Sequence, residues 1–317
     1  MACGASIKWD KEAGSLTGSL CARIVSLRTF RGGACKGNSP KGMGLIGAAF
    51  GLGFTIGPAL GGLISGDNPE LIDLARPPLV AAGFSAIALV LTLVRLPESL
   101  PPAARTGVER PSRLVLARSA FARPALRQLI ILFFVTIAAF AGMESTFALW
   151  AEGAFGWGPK TVGFTFFYLG LILAAMQGGL VGKLAERYGE ARLVTAGAGL
   201  IAAGLLAIPL SISPPYVLLA SALLAAGMGL LNPSINSLLS LHAGADERGG
   251  ILGVSQSAGS LARILGPIVA GALFNELGRN APYYLDAVVM AGVLLLALRI
   301  PRERPVAPAA AAPERLS

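Results

Sequence analysis

The sequence predicts an all-α, polytopic membrane protein with eight transmembrane helices. Three observations predict it. Eight runs are apolar over about the 20 residues that a helix needs to cross a bilayer. Basic residues alternate between rich and poor connections along those runs. One helix pair occurs twice, with its prolines 209 residues apart at Pro58 and Pro267.

Composition sets the class. Of 317 residues, 54% are hydrophobic and 14% charged, against about 25% charged in a soluble domain. Forty-one glycines and 21 prolines would mark loops in water. In lipid, glycine allows close helix approach, and proline is tolerated where neighbours satisfy the backbone.

The spans, in order, are Met43–Ser65, Pro77–Val94, Leu126–Ala151, Thr161–Gly182, Leu193–Ile212, Tyr216–Leu241, Ile251–Phe274 and Ala281–Leu298. Ser213-Pro214-Pro215 leaves room only for a tight turn between the fifth and sixth. Residues 1–42, 95–127, 183–192, 242–250 and 299–317 hold 22 Lys and Arg; residues 66–76, 152–160 and 275–280 hold three. Lys and Arg mark the cytoplasmic side of a membrane protein. The rule places both termini there and makes the inner or plasma membrane the expected location. It also accounts for the net charge of +9 without a nucleic-acid partner.

The repeat is KGMGLIGAAFGLGFTIGPALGG at 41–62 and RGGILGVSQSAGSLARILGPIVAG at 248–271, each followed by a span that closes on Arg-x-Pro. Two similar helix pairs so far apart indicate a duplicated membrane fold. The first copy carries Gly53, Gly57, Pro58, Gly61 and Gly62. Small residues at three- and four-residue steps make a smooth face for helix packing, and Pro58 bends the helix. Gly51-x-Gly53 is no dinucleotide loop, since no strand precedes it.

This Gly57-Pro58-x2-Gly61-Gly62 pattern resembles the antiporter signature in the fifth helix of drug:proton antiporters of the major facilitator superfamily. The stretch Gly182-Lys-Leu-Ala-Glu186-Arg187-Tyr-Gly189-Glu-Ala-Arg192 is similar to that superfamily's cytoplasmic loop motif, with Glu186 at a position usually held by Asp. The resemblance implies that the acid and arginines of this loop pair across helix ends and hold one gate state. It covers residues 41 to about 302 and aligns the eight spans with helices five to twelve of a twelve-helix transporter. Helices one to four have no counterpart in it, and residues 1–42 look like an out-of-frame or misplaced start. The resulting expectation is the last two helices of one bundle at 43–94, a cytoplasmic linker at 95–125, a six-helix bundle at 126–299 and a disordered tail at 300–317. Two helices without their own bundle would leave faces unpacked, so poor stability is expected.

Ionisable groups inside spans are costly and mark function. Glu144, in the third span, is the expected proton-exchanging group. Arg263, in the seventh, would tune it or pair with it. Gln256, Gly259, Ser260, Arg263 and Gly266 recur at helical spacing as one stripe that should face a cavity. Gln177, Asn232 and Asn236 add polar groups on other spans, and the expected substrate cavity is Gln177, Asn232, Asn236, Gln256 and Ser260. Asp286, and the aromatics Trp150, Trp157, Phe166, Phe167 and Tyr168 near span ends, read as interfacial groups.

The expected function is secondary transport of a hydrophobic or amphipathic small molecule: drug efflux by a monomer that exchanges its substrate for protons by alternating access. The alternatives are a non-transporting remnant of that fold and a transporter of a sugar or other polar metabolite. Cys3, Cys21 and Cys35 lack the paired spacing of a metal site, so neither a metal nor a cofactor is expected. Nor is an enzyme, since no nucleophile–base pair or phosphate loop occurs.

Overall fold

The computed structural model describes residues 39–66, 75–95, 113–244 and 247–298. The chain divides into two units, Met1–Ala49 and Phe50–Ser317. Within the first, the described part is the opening of one helix; all contacts below belong to the second. Most of 1–42, the start of the expected linker and the expected tail lie outside the described residues.

Every element is helical: α1 (Ser39–Ser65), α2 (Arg76–Arg95), α3 (Arg113–Ala122), α4 (Pro124–Phe155), α5 (Pro159–Ala175), a π-turn (Met176–Leu180), α6 (Val181–Tyr188), α7 (Glu190–Ala207), α8 (Pro214–His242), α9 (Arg248–Leu277) and α10 (Ala281–Ala297). Among the described residues, six stretches are long and apolar enough to cross a membrane: α2, α4, Pro159–Tyr188 as one run, α7, α8 and α9. The other two expected spans fall on shorter apolar helices, Gly51–Ser65 within α1 and the 17-residue α10.

Proline sets most boundaries. Pro124, Pro159, Pro214 and Pro282 occupy the first turns of α4, α5, α8 and α10, where a missing N–H costs nothing. Pro209 ends α7 early. Ile208 keeps helical dihedrals (φ −55°, ψ −56°), but Pro209 has no N–H to give the next helical bond, so α7 stops at Ala207 rather than at the expected Ile212. The expected linker contains a helix as well, since α3 lies inside it. A methyl group at Gly250 on α9 would stand 2.9 Å from Leu116 of α3.

Glycine contacts define the bundle. A methyl at Gly197 on α7 would fall 2.8 Å from the carbonyl of Gly227 on α8, and one at Gly227 would fall 2.7 Å from the carbonyl of Gly197. Further along, Gly204 meets the carbonyl of Ala220 at 2.8 Å, so the two helices run antiparallel with backbones touching. α9 lies parallel to α4, with Gly259 on Phe133, Gly266 on the Ala138 carbonyl and Ala270 on Gly142. α10 returns antiparallel along α4. Gln128 Nε2 donates to the Leu296 carbonyl at one end, and Trp150 Nε1 donates to Asn280 Oδ1 at the other, both at 2.8 Å.

The core follows from these contacts: Leu126, Leu129, Ile130, Phe133 and Phe147 of α4 are buried among Leu224, Leu231 and Ile235 of α8 and Met290 of α10. At the Phe155 end, Phe147, Trp150, Phe155, Trp157, Phe166 and Tyr283 form an aromatic cluster with centroids 5.5–6.5 Å apart. Trp150 and Phe166 are therefore core residues, not an interfacial belt; Trp150 is 2% exposed. α2 is the opposite case, with no buried residue.

Candidate functional site: a helix junction and a polar helix face

α1 meets the bundle through a short ladder on α5. A methyl at Gly170 would lie 2.5 Å from Thr55 Oγ1, one at Gly163 2.5 Å from the Pro58 carbonyl, and one at Gly62 2.6 Å from the Pro159 carbonyl. The two helices are antiparallel, and glycine on α5 removes the side chains that would hold them apart. Thr55, 4% exposed, donates its hydroxyl back to the Gly51 carbonyl at 2.8 Å, so the polar atom that faces α5 is satisfied within α1.

Of the five expected motif residues, Pro58 and Gly62 are in this junction. Gly53, Gly57 and Gly61 have nothing within 4 Å of the place where a side chain would begin. Gly163 and Gly170 were missed, because a lone glycine in an apolar run carries no sign of its partner. The two repeat copies use their glycines differently: Gly57 is open where Gly266 is packed, and Gly62 is packed where Gly271 is open.

Glu144 is exposed on α4, and Arg263 is exposed on α9 within its electrostatic reach. The α4–α9 register puts Arg263 level with Thr136, about two turns from Glu144, and they form no contact ion pair. The single polar stripe expected on α9 separates into two. Gln256, Ser260 and Arg263 are exposed, while Gly259 and Gly266 are buried against α4. At about 100° per residue, the glycines sit roughly 70° away from the polar three. That offset is enough to give one line to packing and the other to the open face.

The remaining expected groups stand on two elements, Asn232 and Asn236 on α8 and Gln177 on the π-turn. Asn236 Nδ2 donates to the carbonyl and the side-chain oxygen of Asn232, both at 3.0 Å. Gln177 lines a cleft of about 300 Å³ with Gly182, Glu190, Pro233 and Ser237. Ser237 Oγ donates to Glu190 Oε1 across it at 3.2 Å.

In the loop motif, Gly189 has φ 83° and joins α6 to α7, a backbone form that favours glycine. Glu186, Arg187 and Arg192 are exposed. The Arg187 guanidinium lies 5.4 Å over its neighbour Tyr188. Among the described residues, the ion pair at this end of the bundle joins Arg123 to Glu247 at 2.7 Å, not Glu186 to an arginine. Glu190 is the acid of the loop that reaches another helix, and sequence reasoning did not single it out.

The profile of the Major Facilitator Superfamily matches residues 34–267 and 180–316. This chain belongs to the major facilitator superfamily. The match begins inside the segment 1–42 and runs into the expected tail. Multidrug resistance protein 2 of Bacillus subtilis is 28% identical over 255 residues, 79% of this chain and 62% of that protein. The class D tetracycline resistance protein of Salmonella ordonez is 26% identical over 294 residues, 92% of this chain and 72% of that one. The crystal structure of the human organic anion transporter MFSD10 superposes with a TM-score of 0.62 at 28% identity, covering 81% of this chain and 63% of that one. The chain spans 54 to 57% of the length of the first curated relatives it matches. Superfamily members are multi-pass membrane transporters, not enzymes, which agrees with the helical spans and with the fold class read from the sequence.

Proposed function

We propose that this chain is the helix-five-to-twelve part of a secondary transporter that exports hydrophobic or amphipathic small molecules in exchange for protons. The observation that carries the reading is Glu144: a carboxylate exposed on the open face of a long apolar helix, with Arg263 in electrostatic reach. Charges within spans are retained where they serve a pathway. The α1–α5 ladder supports alternating access, since a contact made of backbone and glycine can rock without unpacking large side chains. The relatives named for multidrug and tetracycline resistance support the substrate class. In this reading the end of the bundle that carries Arg123, Gly189 and Glu247 is cytoplasmic, the membrane is the plasma or inner membrane and the transporter works as a monomer. Its domains are 43–94, 95–125 and 126–299.

A second reading has its own observation. Arg263 is an exposed guanidinium on the α9 face with Gln256 and Ser260, which suits an organic anion.

The test is transport by the purified chain in proteoliposomes loaded with a pH-sensitive dye. Ethidium and a fluorescent organic anion serve as the two probes. Proton movement driven by ethidium and lost in Glu144→Gln is the expected result. Proton movement that survives Glu144→Gln would remove the coupling role. Uptake of the anion alone would favour the second reading, and no movement of either probe would leave the chain without transport of its own.

A further inference from the structure

α10 carries a single charged side chain, Asp286, and it lies more than one turn inside the helix. Its place is a junction of three helices opened by Gly142. A methyl at Gly142 on α4 would stand 3.1 Å from Ala270 Cβ and 3.3 Å from the Gly266 carbonyl, both on α9, and 3.4 Å from Asp286 Oδ2. Asp286 Oδ2 is shut away from solvent and has no hydrogen-bond partner. Asp286 as a whole is half-buried, with this oxygen turned into the junction.

The charged and titratable neighbours offer it no counterion. On α10, the Tyr283 hydroxyl is within electrostatic reach and lies 3.4 Å from Thr146 Oγ1 of α4. Glu144 is two residues from Gly142, on the opposite side of α4. On α9, Arg263 is on the exposed face, about two turns along. Arg279, before α10, gives Nη1 to the Gly153 carbonyl at 2.6 Å. On α7, Glu190 and Arg192 sit at the far end. A charged carboxylate with one oxygen enclosed away from any donor or cation is costly in a membrane. A carboxylic acid needs one acceptor, and the Gly266 carbonyl is at the same junction.

We infer that Asp286 is a second proton-binding site of the transporter, buried behind Glu144. This deepens the proton-coupled reading above and rests on it. Oδ2 takes one proton from water and returns it to water when α4 and α10 part at Gly142; no other reactant is used.

The test needs no transport. The chain has five aspartates, Asp10, Asp67, Asp73, Asp246 and Asp286. Labelling the aspartate carboxyl carbons with ¹³C in the detergent-solubilised protein gives five NMR signals to titrate. One signal should remain protonated at neutral pH in the unmutated chain, and that signal should be lost in Asp286→Asn. Five signals that are all deprotonated at neutral pH would overturn the inference, as would a protonated signal that survives Asp286→Asn. The unmutated titration decides even if the variant does not fold. Glu144→Gln should leave the signal in place, which separates failure here from failure of the transport reading.

Discussion

The carbonyl oxygen of Pro58 occupies the space that a side chain at Gly163 would need, 2.5 Å from its first carbon. Two backbones from distant parts of the chain are thus in contact without side chains between them. Gly163→Ala should force α1 and α5 apart and lower the thermal midpoint in detergent, by an amount corresponding to about 1–3 kcal/mol of overpacking. Gly57→Ala, one residue from Pro58 but facing open space, should be neutral or slightly stabilising, since alanine is the better helix former. Equal effects of the two would mean that the ladder does not hold α1.

The reciprocal contact of Gly197 and Gly227 makes a prediction about additivity. Either alanine substitution opens the same crossing of α7 and α8. The double variant should therefore be less destabilised than the sum of the singles, by more than about 0.5 kcal/mol. Denaturant midpoints of the four proteins complete the cycle; strict additivity would show that the two sites do not share one contact.

Trp150 combines packing with one hydrogen bond. Trp150→Phe keeps most of the ring contacts and loses the bond to Asn280, so about 0.5–1.5 kcal/mol is expected. Trp150→Ala opens the whole aromatic cluster and should cost about 3–5 kcal/mol. Tryptophan fluorescence during unfolding reads the first change only through Trp9 and Trp157, so circular dichroism is the better measure. A phenylalanine variant as unstable as the alanine variant would contradict the packing described.

Arg123 and Glu247 are paired in the open, at 43% and 37% side-chain exposure. Such pairs contribute no more than about 1 kcal/mol. Arg123→Ala should barely shift the melting curve, and the shift should vanish in high salt. A large, salt-independent loss would give Arg123 a structural role beyond its charge.

Arg263 gives the selectivity prediction. Arg263→Gln removes the exposed cation of the polar face, so binding of an organic anion should fall at least tenfold while ethidium binding holds or improves. Equilibrium fluorescence titration of both probes checks it, and equal losses would point to misfolding instead.

The helices were legible because their signals are local. Apolar length, proline at helix starts and the Ser213-Pro214-Pro215 turn each act within a few residues of where they are read. The repeat was legible because Pro58 and Pro267 keep the same neighbours. What each glycine touches was not, since Gly163 and Gly57 look alike until a second helix is placed beside them. The polar residues divide the same way. That Glu144 and Arg263 are charges inside apolar runs was readable; that α4 and α9 bring them into electrostatic reach of each other was not. That one carboxyl oxygen of Asp286 lies in a junction depends on the absence of a side chain at Gly142, on another helix. The α3 helix and the Glu190–Ser237 contact were hidden for the same reason.

The π-turn at Met176–Leu180, with Gly179 at φ 151°, has a consequence for reading the span Pro159–Tyr188. Gly179 is itself not helical (φ 151°, ψ −18°), so the chain kinks there and the helix after it does not continue the winding of the helix before it. The span therefore carries two wave trains with a phase slip between them. Residues before Met176 and after Leu180 that would share a face in an unbroken helix look in different directions. A labelling scan along it should show two periodic patterns, one on each side of Gly179, out of step with each other.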